Sequence, residues 1–106
     1  MYFVVIAHGK ENLDLTDEKF ADAAVMSHRY REPLVEDGTI LFHGHIVGNK
    51  GHIWVYDVES ADELDRVMTG DPSYPWIENE PTIYMVISEQ RALQLERQFF
   101  PEKFDE

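Results

Sequence analysis

Five histidines and one centrally placed arginine are the residues of this chain best suited to chemistry. His43 and His45 are two positions apart in an apolar run, so both side chains point to the same face of a strand. His28 and Arg31 are three positions apart in an amphipathic segment and therefore lie near one another on a helix. Imidazole exchanges protons near neutral pH, and a guanidinium group matches the shape of a carboxylate. The pattern predicts acid–base catalysis by His28 and His45 on a carboxylate held by Arg31.

Each of these assignments has a structural alternative that the sequence leaves open. Arg31 lies on the apolar face of its helix, where an ion pair with Asp or Glu is the commoner role of a half-buried arginine. Any one histidine is also compatible with a surface position or with a hydrogen-bonded position in the core. We favour His28 and His45 over the other three, and we expect His43 and His52 nearer an interface.

Aromatic side chains are expected to complete a small-molecule site. A tyrosine hydroxyl can polarise a carbonyl group, and the candidates for this role are Tyr30, Tyr56, Tyr74 and Tyr84. We predict that Tyr30, Tyr74 and Trp76 bind the substrate together with Arg31.

Metal binding is the competing use of the same histidines. His43 and His45 form a possible two-ligand motif on a strand, which His8 or His52 could complete. A lone pair of this kind is a weak signal, and the absence of cysteine excludes zinc–cysteine sites. Haem would need an axial histidine in an apolar cavity, and nothing in the sequence selects it. We therefore expect no metal and no other cofactor.

The elements that must position these residues alternate between strands and helices. Runs rich in β-branched and aromatic residues predict strands at residues 2–8, 39–46, 53–58 and 82–87. Gly48 and Asn49 are typical of a hairpin turn between the second and third strands. With one helix in each half, the order is strand–helix–strand–strand–helix–strand. This order predicts an α+β, ferredoxin-like fold with a four-stranded antiparallel sheet.

Both helices have recognisable ends. The first is expected to start at a cap on Thr16 and to be kinked or ended by Pro33, with Gly38 closing the following turn. Its predicted inward face comprises Phe20, Ala24, Ser27, Arg31, Leu34 and Val35. The second has Ser60 and Glu63 at the spacing of a capping box. Gly70 is expected to end it in a left-handed conformation.

The third predicted strand has two apolar faces. We expect Ile53 and Val55 to lie under the helices, so that the alternate series His52, Trp54 and Tyr56 faces away. That series is too apolar to leave in water and should pack against a second subunit. The chain is therefore predicted to be a homodimer or a larger homo-oligomer.

The chain is expected to divide into a domain at residues 1–89 and a C-terminal tail at residues 90–106. The tail is amphipathic, with apolar side chains at Leu93, Leu95, Phe99 and Phe100. A helix this short is barely stable alone. We expect it to pack on a neighbouring subunit and to cover that subunit's pocket. Folding back on its own chain is the alternative.

Length and charge restrict the function further. The 106 residues, of which 43% are hydrophobic, suffice for one domain. A net charge of −12, from 9 basic and 21 acidic residues, repels phosphate backbones and anionic membranes, so we expect no nucleic-acid or membrane partner. No apolar run approaches the roughly 18 residues of a membrane span, and no signal peptide is recognisable. A cytoplasmic protein is the expectation.

Residues from Gly51 onward resemble the muconolactone delta-isomerase family. The resemblance rests on the segment 55–58, on Ser60, on Glu63-Leu64 and on the aromatic–proline–aromatic step at residues 74–76, with residues 34–38 similar as well. The step at residues 70–72 resembles the YCII-related family, which shares the same plan. The similarity covers roughly residues 2–88 and implies a dimeric α+β barrel.

The resemblance implies one of two functions. The first is a small-molecule enzyme that moves a proton on a lactone or carboxylate metabolite of aromatic degradation, as an isomerase or related lyase. The second is a ligand-binding or accessory protein of YCII type without turnover. A pocket that holds histidine and arginine together favours the enzyme, and a pocket lined by aromatic side chains alone favours the binding protein.

Overall fold

The chain folds as a four-stranded antiparallel sheet with two helices across one face. This computed structural model describes residues 1–48, 50–77 and 80–104. The strands are β1 (Tyr2–His8), β2 (Ile40–His45), β3 (Gly51–Asp57) and β4 (Thr82–Val86). The helices are α1 (Glu18–Glu36), α2 (Ala61–Gly70), α3 (Glu89–Phe99) and α4 (Pro101–Phe104), with a short 3-10 helix at Tyr74–Trp76. The sheet order β2-β3-β1-β4 is that of the predicted ferredoxin-like fold.

The core lies between the sheet and the two helices. In the register of β1 against β3, Phe3 is opposite Tyr56 and Val5 is opposite Trp54. These side chains are buried, and they form one cluster with Leu64 and Met68 of α2 and a few neighbours. The apolar face of α2 therefore packs directly on the aromatic residues of β3.

The predicted orientation of β3 was wrong. The helices cover Trp54 and Tyr56, which are buried, whereas Ile53 and Val55 are half-buried on the opposite face. Strand alternation defines two faces but does not say which one the helices will cover. Both faces of this strand are apolar, so the sequence of β3 alone could not decide between them.

The ends of α1 differ from prediction at the first residue. Asp17, and not Thr16, caps the helix: its carboxylate accepts hydrogen bonds from the backbone N–H groups of Lys19 and Phe20. The Thr16 hydroxyl instead donates to Asp14 at 2.6 Å. The negative charge of the Asp17 carboxylate also interacts favourably with the positive end of the helix dipole.

Pro33 lies in the last turn of α1 and does not end the helix at once. The helix continues to Glu36, and the N–H of Asp37 donates to the Pro33 carbonyl at 3.0 Å. Gly38 then has φ of 84°, so the predicted turn glycine is confirmed. In the hairpin, Gly48 has φ of 88°, while Asn49 lies outside the described residues.

The start of α2 matches the predicted capping box closely. The Ser60 hydroxyl oxygen accepts from the N–H of Glu63 at 3.1 Å. The Glu63 carboxylate reaches back to the N–H of Glu59 at 2.9 Å, one residue before the cap. Two N–H groups without helical partners are thereby satisfied.

Gly70 is the last residue of α2, but it does not adopt the predicted left-handed conformation. Its φ is not positive, and Asp71 follows it in an extended conformation. A Cβ at this position would lie 2.8 Å from the hydroxyl oxygen of Tyr30, which donates to the Val67 carbonyl at 2.8 Å. Glycine is required here because the Tyr30 side chain of α1 passes close to the backbone of α2.

This contact predicts opposite effects of Gly70→Ala in two backgrounds. In the wild type, the added methyl group should push Tyr30 off Val67 and destabilise the protein by about 1 kcal/mol, the net contribution of one hydrogen bond. In Tyr30→Phe the hydroxyl is gone, and the same change should stabilise by up to about 1 kcal/mol through helix propensity. Urea unfolding of the wild type, the two single variants and the double variant measures both effects. A change in stability of the same sign in both backgrounds would show that the Tyr30 hydroxyl does not restrict position 70.

The C-terminal helices extend away from the sheet. The molecule measures 62 × 28 × 22 Å, and no residue of α3 or α4 is buried. Phe99 and Phe100 are 70% and 55% exposed. Within the described part of the chain, no helix is long and apolar enough to cross a membrane.

Candidate active site

A pocket of about 410 Å³ opens between the helix-covered face of the sheet and the first half of α1. Its floor is formed by Ala7, His52 and Trp54, and α1 forms one wall. The segment that follows β1 and the 3-10 helix close its sides. The aromatic rings at its edges are held together, since Phe20 and Trp76 pack edge to face with centroids 5.7 Å apart. The polar side chains that line it are His28, Arg31, His45, Lys50, His52 and Ser73.

The pocket brings together four of the six residues predicted for the site. His28, Arg31, His45 and Trp76 all line it. Tyr30 lies between α1 and α2 with its hydroxyl bonded to Val67, and Tyr74 borders a separate small hollow beside Tyr56. His28 and His45 are both exposed, so their rings are accessible to a ligand.

Arg31 is the most buried charged residue of the site, with 6% of its surface exposed. Its Nε atom donates to the Ser27 carbonyl at 3.2 Å and lies 3.7 Å from Oδ2 of Asp71. Its Nη1 atom contacts Nε2 of His52 at 3.3 Å. Among the described residues, Nη2 has no hydrogen-bond partner. Arg31 therefore combines both roles that the sequence left open: it forms an ion pair, and it keeps donors available beside the pocket.

Asp71 holds this arginine from behind. The carboxylate is 7% exposed and accepts from the Ser27 hydroxyl at 2.5 Å. It also accepts from the N–H and the hydroxyl of Ser73, each at 2.9 Å. The hydrogen bonds from the serine hydroxyls and the Ser73 N–H, together with the Arg31 ion pair, offset the desolvation free energy of the buried carboxylate. Sequence analysis missed both Ser27 and Asp71 as site residues, because their importance lies in a contact between α1 and the turn after α2.

His52 occupies the middle of the histidine cluster. Its ring lies 4.3 Å from the ring of Trp54, 4.7 Å from that of His45 and 5.6 Å from that of His43, by centroids. The expectation that His52 lies away from the site was wrong, and it follows from the inverted faces of β3. Because Trp54 faces the helices, His52 two positions earlier does so as well.

Burial and charge keep His52 neutral. Burial is the main cause and the Arg31 guanidinium the next, and together with the other histidines they lower the pKa of His52 from 6.5 to about 3. Burial, followed by Arg31, also lowers the pKa of His43. Nδ1 of His43 is enclosed by protein without a hydrogen-bond partner among the described residues, as is Nε1 of Trp54.

The comparison with known families agrees with this architecture. The family model for muconolactone delta-isomerase matches residues 1–84. The chain belongs to the muconolactone delta-isomerase family.

Two solved structures have a similar fold. A crystal structure of muconolactone isomerase is 20% identical, with a TM-score of 0.71 over 84% of this chain and 91% of that one. The 5-chloro-2-hydroxyhydroquinone dehydrochlorinase of Burkholderia phenoliruptrix AC1100, in complex with 2,5-dihydroxybenzoquinone, is 17% identical. Its TM-score is 0.67 over 86% of this chain and 98% of that one. No curated protein sequence matches the chain.

The pocket of this family member has the opposite charge to the protein as a whole. The chain carries a net charge of −12, yet the described residues that line the pocket include the cations Arg31 and Lys50 and no carboxylate. Lys50 is held at the rim by its bond to the Leu13 carbonyl at 2.6 Å. A cationic pocket in an acidic surface attracts a small anion selectively. The described residues contain no group of three side chains placed to hold a metal ion.

The lowered pKa of His52 predicts loss of stability in acid. Between pH 6.5 and about 3 the unfolded chain binds a proton at this residue and the folded chain does not. Stability is therefore complete above pH 6.5 and falls as the pH decreases through this window. In His52→Gln the free energy of unfolding should fall less steeply with decreasing pH, because the difference in bound protons between the unfolded and folded states is smaller by up to one. The lowered pKa of His43 should leave a smaller slope of the same sign.

Urea midpoints between pH 7.5 and 4.5 measure this slope. His8→Gln, which removes a histidine from the other face of the sheet, is the matched control. Identical pH dependence of the wild type and His52→Gln would show that His52 is not held neutral.

Proposed function

We propose that this protein is an enzyme that transfers a proton on a small lactone or carboxylate metabolite of aromatic degradation. The observation that carries the proposal is that His28, His45 and Arg31 line one cationic pocket. Membership of the muconolactone delta-isomerase family supports the same reaction class. The residues of the pocket, and not the shared fold, supply the chemistry.

Arg31 would hold the carboxylate of the substrate. Its Nη2 group is unpartnered among the described residues, and the buried Asp71 fixes the orientation of the guanidinium group. The aromatic rings of Phe20 and Trp76 would enclose a planar ring at the opposite side of the site. Binding energy from these contacts would place the acidic carbon beside the exposed histidines.

His45 and His28 would carry the proton. In the first step, neutral imidazole takes a proton from a carbon that is conjugated with the carbonyl group through a C=C bond. The electron pair of the C–H bond forms a new C=C bond, the existing C=C pair shifts towards the carbonyl carbon, and the carbonyl π pair moves to the oxygen. In the second step, the imidazolium returns a proton at a different carbon, and the carbonyl re-forms. The substrate is isomerised without gain or loss of electrons. Each residue is suited to this role because imidazole exchanges protons near neutral pH.

A ligand-binding protein of YCII type is the alternative. The aromatic rings around the pocket would serve it equally well. The presence of histidines beside Arg31 favours the enzyme, since simple binding of an anion requires no acid–base groups. Turnover, and not affinity, separates the two proposals.

Kinetics on muconolactone test the assignment of residues. His28→Gln and His45→Gln should lower kcat by about 10²- to 10⁴-fold, the usual contribution of a general acid or base. Arg31→Lys keeps the buried positive charge beside Asp71 but loses the planar fork, so it should chiefly raise KM. His8→Gln is the control on the opposite face of the sheet. Near-normal kcat/KM in all three folded variants would place the chemistry elsewhere.

We also propose that the protein is a homodimer or larger assembly built on the open face of the sheet. The predicted interface was assigned to Trp54 and Tyr56, which instead form the core. The open face remains apolar, because Val4 pairs with both Val55 and Tyr84, and Ile6 pairs with Ile53. On this face Tyr84 is 57% exposed. A contiguous apolar surface of this kind is typical of an interface.

The tail of residues 90–106 would pack on the neighbouring subunit. Phe99 and Phe100 are exposed in the single chain, and α3 buries none of its residues. A helix of 11 residues that buries no side chain of its own needs a partner for stability.

Light scattering at micromolar concentration tests the assembly. The wild type should have at least twice the mass of one chain. Val4→Lys and Val55→Lys place charges on the open face and should shift the protein towards monomer. Asp65→Asn on the exposed side of α2 changes the net charge by the same single unit as each of these variants and should leave the mass unchanged. A monomeric wild type would refute the proposal.

A further inference from the structure

The protonation state of His52 is fixed by its neighbour. Nε2 of His52 lies 3.3 Å from Nη1 of Arg31. Arginine has donors only and stays charged in proteins, so Nε2 must be the acceptor of this hydrogen bond. The proton of the neutral imidazole is therefore on Nδ1. The Arg31 side chain is itself held by Asp71 and by the Ser27 carbonyl, so the tautomer follows from a buried chain of contacts.

The Nδ1–H group of His52 is free to meet a ligand. Among the described residues, no acceptor is bonded to this atom, and it is not among the polar atoms fully enclosed by protein. His52 lines the pocket together with His45 and Trp54. The ring is held between neighbouring side chains, edge to face with His45 and tilted on Trp54. A single donor thus remains on a ring of fixed orientation.

We propose that His52 is a neutral hydrogen-bond donor to the substrate oxygen that gains negative charge during proton transfer. This inference rests on the proposed function and adds a third role to the site. His45 and His28 move the proton, Arg31 holds the carboxylate, and Nδ1–H of His52 stabilises the enolate oxygen. A fixed donor placed where charge develops stabilises the transition state more than the ground state.

The groups around His52 suit a donor and not a proton carrier. From α1, Arg31 contacts it and His28 lies nearby; from β2, His43 and His45 lie beside it. The carboxylate of Asp71 forms an ion pair with Arg31 at 3.7 Å and makes no hydrogen bond or ion pair with His52 in the described part of the chain. A second proton on His52 would face a guanidinium group without a carboxylate in contact. The ring therefore stays neutral while it donates its hydrogen bond.

The tautomer can be measured without any substrate. In ¹⁵N-labelled protein at pH 7, long-range ¹H–¹⁵N correlation should show His52 protonated at Nδ1 and unprotonated at Nε2. In Arg31→Gln the side-chain amide offers an acceptor as well as donors, so Nε2 is no longer forced to accept, and the Nε2–H form should become populated. A wild-type ring protonated at Nε2, or at both nitrogens, would overturn the inference.

Two substitutions separate the donor role from a general structural role. His52→Asn places an amide N–H near the original Nδ1 position, while its Oδ1 atom occupies the position of the ring carbon Cδ2 and faces towards Arg31. His52→Leu has a similar size and no donor. On muconolactone, His52→Leu should lower kcat by about 10²- to 10³-fold with little change in KM, the usual loss of one such donor. His52→Asn should stay within about 10-fold of the wild type, and His8→Leu is the control.

Binding of 4-nitrophenolate above its own pKa provides a second readout that needs no turnover. His52→Leu should weaken binding by about 10- to 100-fold, as expected for loss of a hydrogen bond to a charged oxygen, while His52→Asn should bind nearly as the wild type does.

If the wild type turns over muconolactone, an unchanged kcat in His52→Leu overturns the inference. If the wild type does not turn over muconolactone, the proposed function is wrong, but the role of His52 as a donor is still open to test. The phenolate titration then decides the role of His52, and equal affinity in the wild type and His52→Leu, or no binding by either, refutes it.

Discussion

The ion pair between Arg31 and Asp71 connects the parts of the molecule that form the pocket. Arg31 belongs to α1 and Asp71 follows α2, and both side chains are 8% exposed. Asp71 also accepts hydrogen bonds from Ser27 and Ser73. Removal of one member of such a buried pair typically costs about 3–5 kcal/mol, since the other charge is left without compensation. The same contact fixes the guanidinium group beside the pocket, so stability and binding geometry depend on one interaction.

The electrostatics of the site follow from this arrangement. Arg31 is only partly neutralised by Asp71 and stays close to His52 and His43, so it disfavours a proton on either ring. The histidines that are exposed, His28 and His45, border the same pocket. One cluster therefore contains both rings that are held neutral and rings that can meet solvent. Such separation of environments allows identical residue types to perform different tasks.

The distribution of apolar side chains gives the single chain more hydrophobic surface than it can cover. The core between sheet and helices is small and is built around Val5, Trp54 and Tyr56. On the other face of the sheet, and along the tail, apolar residues such as Tyr84 and Phe99 stay exposed. A monomeric protein rarely leaves contiguous surfaces of this kind in water. The proposed homo-oligomer would cover these surfaces, which lie away from the helix-covered face.

The sequence by itself determined the order of the elements and indicated several residues that line the candidate pocket. β-Branched runs located the four strands to within a few residues, and the Ser60 capping box located the start of α2. These features are local, because they depend on neighbouring residues and on backbone hydrogen bonds within a few positions. The spacing of His28 and Arg31 on one helix brings both to one pocket, and His45 lines the same pocket from the exposed end of β2 and not from the depth in the strand that was expected.

The tertiary structure decided which face of β3 the helices cover, and several site residues depended on that choice. With both faces apolar, alternation could not distinguish Trp54 from Ile53, and the wrong choice removed His52 from consideration. The role of Asp71 was equally hidden, since its partner Ser27 is 44 positions away in the chain. Gly70 likewise depends on the hydroxyl of Tyr30 on another helix. Contacts between distant segments have no periodicity in the sequence, so they become visible only when the chain is folded.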